Sequence, residues 1–122
     1  MTTAPENFSI AHSVNQIEVL HKADVFLTHC GMNSVNEALY CEVPLVLFPQ
    51  TTEQGGVACR VNELGAGIYL KDDSAESIKA AVQEILSNSA YRKKAQEISA
   101  GFRKCGGSKL AADKIEALCS NA

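Results

Sequence analysis

Apolar residues along this chain fall into two alternating patterns. Short, nearly uninterrupted runs occur at Asp24–Thr28, Leu45–Phe48 and Ile68–Leu70. Runs of that length, rich in Val, Ile and Leu and bounded by Gly or Pro, predict strands buried on both faces of a parallel sheet. Asn7–Ala11 predicts a further short strand. Between the runs, apolar positions recur at helical spacing. Ile17, Val19 and Leu20 mark a helix of about two turns within Asn15–Ala23. A second helix covers Asn33–Cys41, with Pro44 blocking its continuation, and a third covers Gln54–Leu64, weakened by Gly55 and Gly56.

Three helices close the chain over residues 74–120. Asp73 is placed to cap the first, with Glu76 three residues on, and its apolar face is Ile78, Ala81, Val82, Ile85 and Leu86. The second shows Tyr91, Ala95, Ile98 and Phe102 and ends at Gly106-Gly107; the third shows Ala111, Ile115, Leu118 and Cys119. All three stripes are expected in the core. The order β-α-β-α-β-α-β, then three helices, predicts an α/β layer with a helical tail. At 122 residues it is expected to form one domain.

Composition narrows the function classes. The chain is 46% hydrophobic and 20% charged, with a net charge of −3 and no Lys/Arg block, which argues against nucleic-acid binding. No stretch approaches the roughly 20 apolar residues of an integral membrane segment. The start, Met1 to Asn7, lacks the charged and apolar regions of a signal peptide, so a cytoplasmic location is expected. Five cysteines without CxxC or zinc-ligand spacing are expected to be small buried hydrophobes in a reducing compartment, and no metal site is expected.

The polar residues gather where strands end, and ligands bind at that edge of a parallel sheet. Thr28-His-Cys-Gly-Met-Asn-Ser34 runs from a strand into a helix. The free N–H groups and positive dipole end of such a helix suit a phosphate, with Gly31 permitting close approach and His29 able to donate a further hydrogen bond. Two plainer readings compete: Ser34-Val-Asn-Glu37 has capping-box spacing, and His29 can be a structural histidine. A carboxylate at Glu37 repels a bare phosphate but suits the vicinal diol of an attached ribose, so the cluster reads as a nucleotide site. Glu53-Gln54, after the next strand, offers the acceptors and donor that sugar hydroxyls require, or is simply an ordinary helix start. His29 and Cys30 are not a catalytic dyad, because strand neighbours face opposite ways. Phosphate-binding GxxxxGK[ST], dinucleotide GxGxxG and hydrolase GxSxG motifs do not occur.

In order and spacing, these residues resemble the donor-sugar signature of the UDP-glycosyltransferase family with the two-domain GT-B fold, closest to bacterial macrolide and antibiotic glycosyltransferases. The similar stretch runs from Asn15 through H-C-G-M-N-S-V-N-E (29–37), V-P (43–44) and Glu53-Gln54, and on through Arg60–Leu70. The resemblance implies that residues 1–122 are a fragment of the C-terminal, Rossmann-like donor domain. The donor signature then lies at 13–54 and the helical tail at 74–120. It implies that His29, Gly31, Met32, Asn33 and Ser34 bind the diphosphate of a UDP-sugar, Glu37 the ribose, and Glu53 and Gln54 the hexose, with Gln16 beside the uracil. Ser13 stands where the family often has an aromatic that stacks on uracil. Glu53 replaces the usual Asp and lengthens the arm that reaches the sugar.

The implied function is transfer of a hexose, expected to be glucose, to a small-molecule acceptor, with UDP-sugar as substrate and no cofactor. The family's base lies in the N-terminal acceptor domain, so no catalytic residue is expected here. A non-catalytic nucleotide-sugar subunit and a UDP-sugar epimerase stay open as alternatives. Strands that the family places before Asn7 are missing, which predicts an exposed sheet edge and dimerisation through it.

Overall fold

The computed structural model describes residues 3–121; Met1, Thr2 and Ala122, which entered the reading of the N-terminus and of the domain bounds, lie outside them. Among the described residues the elements are α1 (Gln16–Leu20), β1 (Phe26–Thr28), α2 (Met32–Tyr40), β2 (Leu45–Leu47), α3 (Thr52–Glu63), β3 (Gly67–Tyr69), α4 (Ala75–Ser87), α5 (Ala90–Lys104) and α6 (Gly107–Ser120). The strands form one parallel sheet in the order β1-β2-β3, with Phe26 opposite Leu45 and Leu45 opposite Gly67. Helical crossovers link successive strands, as parallel pairing requires.

Apolar side chains pack on both faces of β2. Leu45 and Leu47 join Val35, Leu39, Val43, Ala58 and Val61 on one side, while Val46 meets Leu70, Ala81 and Ile85 on the other. The central strand is therefore buried throughout, as its sequence predicts. β1 departs from that expectation. Among the described residues it is an edge strand, and Leu27 is 47% exposed.

Asn7–Ala11 is not a strand. The Phe8 amide donates to Pro5 O at 2.9 Å, a local turn, and Phe8 and Ile10 are exposed. An isolated extended segment has no neighbour to satisfy its backbone, so propensity alone does not make it a strand.

Helix ends also differ. α2 stops well short of Pro44, in a Schellman turn: the amides of Glu42 and Val43 donate to Leu39 O and Ala38 O, with Glu42 left-handed at φ 65°. α3 ends the same way at Gly65, φ 79°, where glycine makes the turn cheap. The cap of α4 is Ser74, whose hydroxyl accepts from the Ser77 amide, and not Asp73.

The tail packs only in part. α5 lies against α2, where the Ser99 hydroxyl donates to Tyr40 O at 2.7 Å and the Arg103 guanidinium sits 4.4 Å from the Tyr40 ring centroid. α6 is exposed along its length, Ile115 and Leu118 included, so its stripe is not core. Of the cysteines only Cys30 is buried; Cys41 is half-buried and Cys59, Cys105 and Cys119 are exposed, against the expectation for all five.

Candidate functional site

The chain leaving β1 makes the first wall. Cys30 is left-handed at φ 73°, and the Thr28 hydroxyl accepts from its amide at 3.1 Å. That turn buries the Cys30 thiol and leaves the His29 imidazole exposed. Burial pushes the thiol up to about 11, against a smaller opposing hydrogen bond to the Phe48 backbone, so Cys30 stays protonated at neutral pH. It has no nucleophilic role to offer.

Gly31 is the N-cap of α2 and carries no side-chain cap. A Cβ there would lie 3.2 Å from His29 Nε2, so the small residue lets the imidazole sit over the helix start. Met32, Asn33 and Ser34 occupy the first turn, which has no acidic residue. Their amides have no partners within the helix, and the dipole end beside His29 favours an anion.

Ser34 is the third helical residue and therefore not a cap, which removes the capping-box reading of Ser34 and Glu37. Both side chains instead meet Gln16, at the start of α1. Gln16 Nε2 donates to Glu37 Oε2 at 2.6 Å and to Ser34 Oγ at 3.2 Å. α1 is short, but Asn15 Oδ1 accepts from the Glu18 amide at its start and buried Leu20 anchors its end. Three residues from two helices are thus tied at the carboxyl edge of the sheet.

The second wall is the loop after β2. Thr51 caps α3 by accepting from the Gln54 amide at 3.2 Å, and Gln54 Oε1 accepts from the Gln50 amide at 2.8 Å. This reciprocal pair shapes the loop, so Gln54 serves the backbone with its carbonyl and keeps its amide hydrogens. Glu53 is exposed in the first turn.

A cavity of about 400 Å³ opens between the walls, lined by Gln16, Thr28, His29, Ser34, Gln50 and Asp73 over an apolar floor that includes Phe26, Phe48 and Ile78. Of the residues singled out from sequence, it gathers Gln16, His29 and Ser34. Glu37 faces an adjoining groove with Ile17 and Tyr40. Gly31, Met32, Asn33, Glu53 and Gln54 lie on the rim elements and outside the lining. Thr28, which opens the first polar cluster, and Gln50, in the polar stretch after β2, line it too; Asp73, which the sequence places as a helix cap, is the lining residue that reading misses. Asp73 follows β3 at the same sheet edge, and that position was the available signal. Among the described residues no group of three or more His, Cys, Asp or Glu is placed to hold a metal ion. No helix among them is long and apolar enough to cross a membrane.

The chain is similar to known proteins over most of its length. Residues 1–113 match the family described as erythromycin biosynthesis protein CIII-like, C-terminal domain. An uncharacterised UDP-glucosyltransferase of Bacillus subtilis, YojK, is 45% identical over 113 residues, 91% of this chain and 28% of that protein. The demethyllactenocin mycarosyltransferase of Streptomyces fradiae is 33% identical over 97% of this chain and 26% of its own length. The crystal structure of the kitacinnamycin glycotransferase superposes with a TM-score of 0.85 at 36% identity, covering 93% of this chain and 30% of that one. The chain therefore spans under a third of the length of each of these relatives. It belongs to the erythromycin biosynthesis protein CIII-like C-terminal domain family of UDP-glycosyltransferases, with the GT-B fold.

Proposed function

We propose that this chain binds a UDP-sugar and is the donor-binding part of a glycosyltransferase that transfers glucose to a small-molecule acceptor held by the rest of the enzyme. The observation that carries the reading is the Gln16–Ser34–Glu37 cluster beside the start of α2. His29, Asn33, Ser34 and the amides near Gly31 and Met32 hold the diphosphate. Glu37 accepts from the ribose hydroxyls, Gln16 lies beside the nucleoside, and Glu53 and Gln54 hydrogen-bond the hexose. The UDP-sugar is a substrate, and the reading needs no resident cofactor. Glucose is favoured because the relative at 45% identity is named a glucosyltransferase, whereas the mycarosyltransferase stands at 33%. Both are named transferases, which favours transfer over epimerisation. Five unpaired cysteines suit the cytoplasm.

Diphosphate recognition predicts the order of affinities. UDP is expected to bind more tightly than UMP, and UMP more tightly than uridine, because charge-assisted hydrogen bonds do most of the holding. Calorimetry that finds uridine equal to UDP would overturn the assignment.

The open side of β1 carries a second expectation. Its outer backbone groups offer a template for another strand, so the isolated 122-residue chain should dimerise through that edge. Light scattering should detect the dimer. A monomer at every concentration would refute it.

A further inference from the structure

We propose that Gln16 is a positioning residue that sets the hydrogen-bond polarity of the donor site: by donating to Ser34 and Glu37 together, it leaves the Ser34 hydroxyl to donate to the diphosphate and the second Glu37 oxygen to accept from the ribose. The inference rests on the donor-binding reading above.

The amide orientation follows from chemistry. A carboxylate only accepts hydrogen bonds, so the group 2.6 Å from Glu37 Oε2 must be the Gln16 NH₂ and not its carbonyl. That nitrogen has two hydrogens, and Ser34 Oγ lies 3.2 Å away to receive the second. With a lone pair engaged by Gln16, Ser34 turns its own single hydrogen elsewhere. Ser34 lines the cavity with His29, so an anion bound there meets a donor and not a lone pair. Glu37 is held by one oxygen, which fixes its rotamer and leaves the other oxygen to accept a hydroxyl.

Partial burial strengthens both bonds. Gln16 is itself held by the Asn15 cap and the Leu20 anchor of α1. The amide thus separates two opposed tasks, donation to an anion and acceptance from a diol, between side chains only three residues apart.

Calorimetry with UDP and 2′-deoxy-UDP, on the unmodified chain, Gln16→Met, Glu37→Gln and the double variant, tests this. Gln16→Met keeps the length of the side chain and removes both donors. It is expected to weaken UDP about tenfold, and to shrink the preference for UDP over 2′-deoxy-UDP as Glu37→Gln does. Because Gln16 acts through Glu37 and Ser34, losses in the double variant should fall clearly short of the sum of the single losses. Gln16→Glu, equal in shape but without the donors, should bind UDP no better than Gln16→Met. Additive losses, an unchanged ribose preference in Gln16→Met, or wild-type affinity in Gln16→Glu would overturn the positioning role alone. Absence of UDP binding by the unmodified chain would bring down the donor-binding reading and this role together.

Discussion

Replacing Gly67 with Ala is expected to remove a large part of the stability of the fold. Gly67 opens β3 opposite Leu45, and a Cβ on it would lie 2.6 Å from Leu45 O, 3.1 Å from Leu47 Cδ1 and 3.2 Å from Val61 Cγ1. The nearest atom is backbone of the central strand, and Leu45 and Leu47 are fully buried. No flexible side-chain end is available to swing away, so β2, β3 or α3 must shift. Overpacking of this kind costs about 1–3 kcal/mol and occasionally more, and the contact with backbone puts this case at the upper end. Against a total of roughly 5–15 kcal/mol, that is a major loss. It should reach the site as well, because β2 leads directly into the loop of Gln50 and the Thr51 cap. Gly55→Ala provides the contrast. Nothing lies within 4 Å of a Cβ on Gly55, which sits inside α3, so that change should stabilise by about 0.5–1 kcal/mol. Urea midpoints of the two variants should move in opposite directions. A Gly67→Ala midpoint equal to the unmodified one would refute the packing argument.

The same geometry shows why some of this molecule was legible in its sequence. β2 reads as a buried run because both of its faces and both of its edges are covered, so every residue obeys one rule. β1 has similar composition, but its burial depends on a neighbour that local pattern does not reveal. α4 and α5 show stripes that meet the sheet and α2. α6 shows an equally good stripe that stays exposed, and periodicity alone cannot separate the two cases. Turn chemistry was hidden where a rare residue does the work: Glu42 takes the left-handed position that Gly65 occupies after α3. At the candidate site, the spacing of Ser34 and Glu37 fits a capping box and a ligand site equally well. The place of Ser34 as third residue of α2 removes the capping box, and both side chains turn instead to Gln16, 18 and 21 positions earlier, a contact that no local pattern reveals. Asp73 was assigned to a helix cap because Asp is a good cap, whereas its neighbour Ser74 fills that role and Asp73 lines the cavity.

Purified alone, this chain is expected to transfer no sugar. Transfer requires a donor, an acceptor and a base held in one geometry, and alignment of that kind is worth effective molarities of roughly 10⁵–10⁸ M. The cavity at the sheet edge is lined by β1, the loops after β1, β2 and β3, and residues of α1, α2 and α4. No other described element lines it. The chain spans under a third of the length of the relatives reported above. Proton transfer is no better provided for. A base must come within about 2.6–3.2 Å of the acceptor hydroxyl. His12 lies in the exposed segment before α1, His21 closes the far end of that helix, and His29 is assigned to the diphosphate. Neither His12 nor His21 lines the cavity. Incubation with UDP-glucose and a panel of phenolic and macrolide acceptors should therefore release no UDP above the uncatalysed background, even under conditions where calorimetry shows UDP bound. Turnover that disappears in His12→Ala or His21→Ala would show instead that a base and an acceptor site exist within these 122 residues.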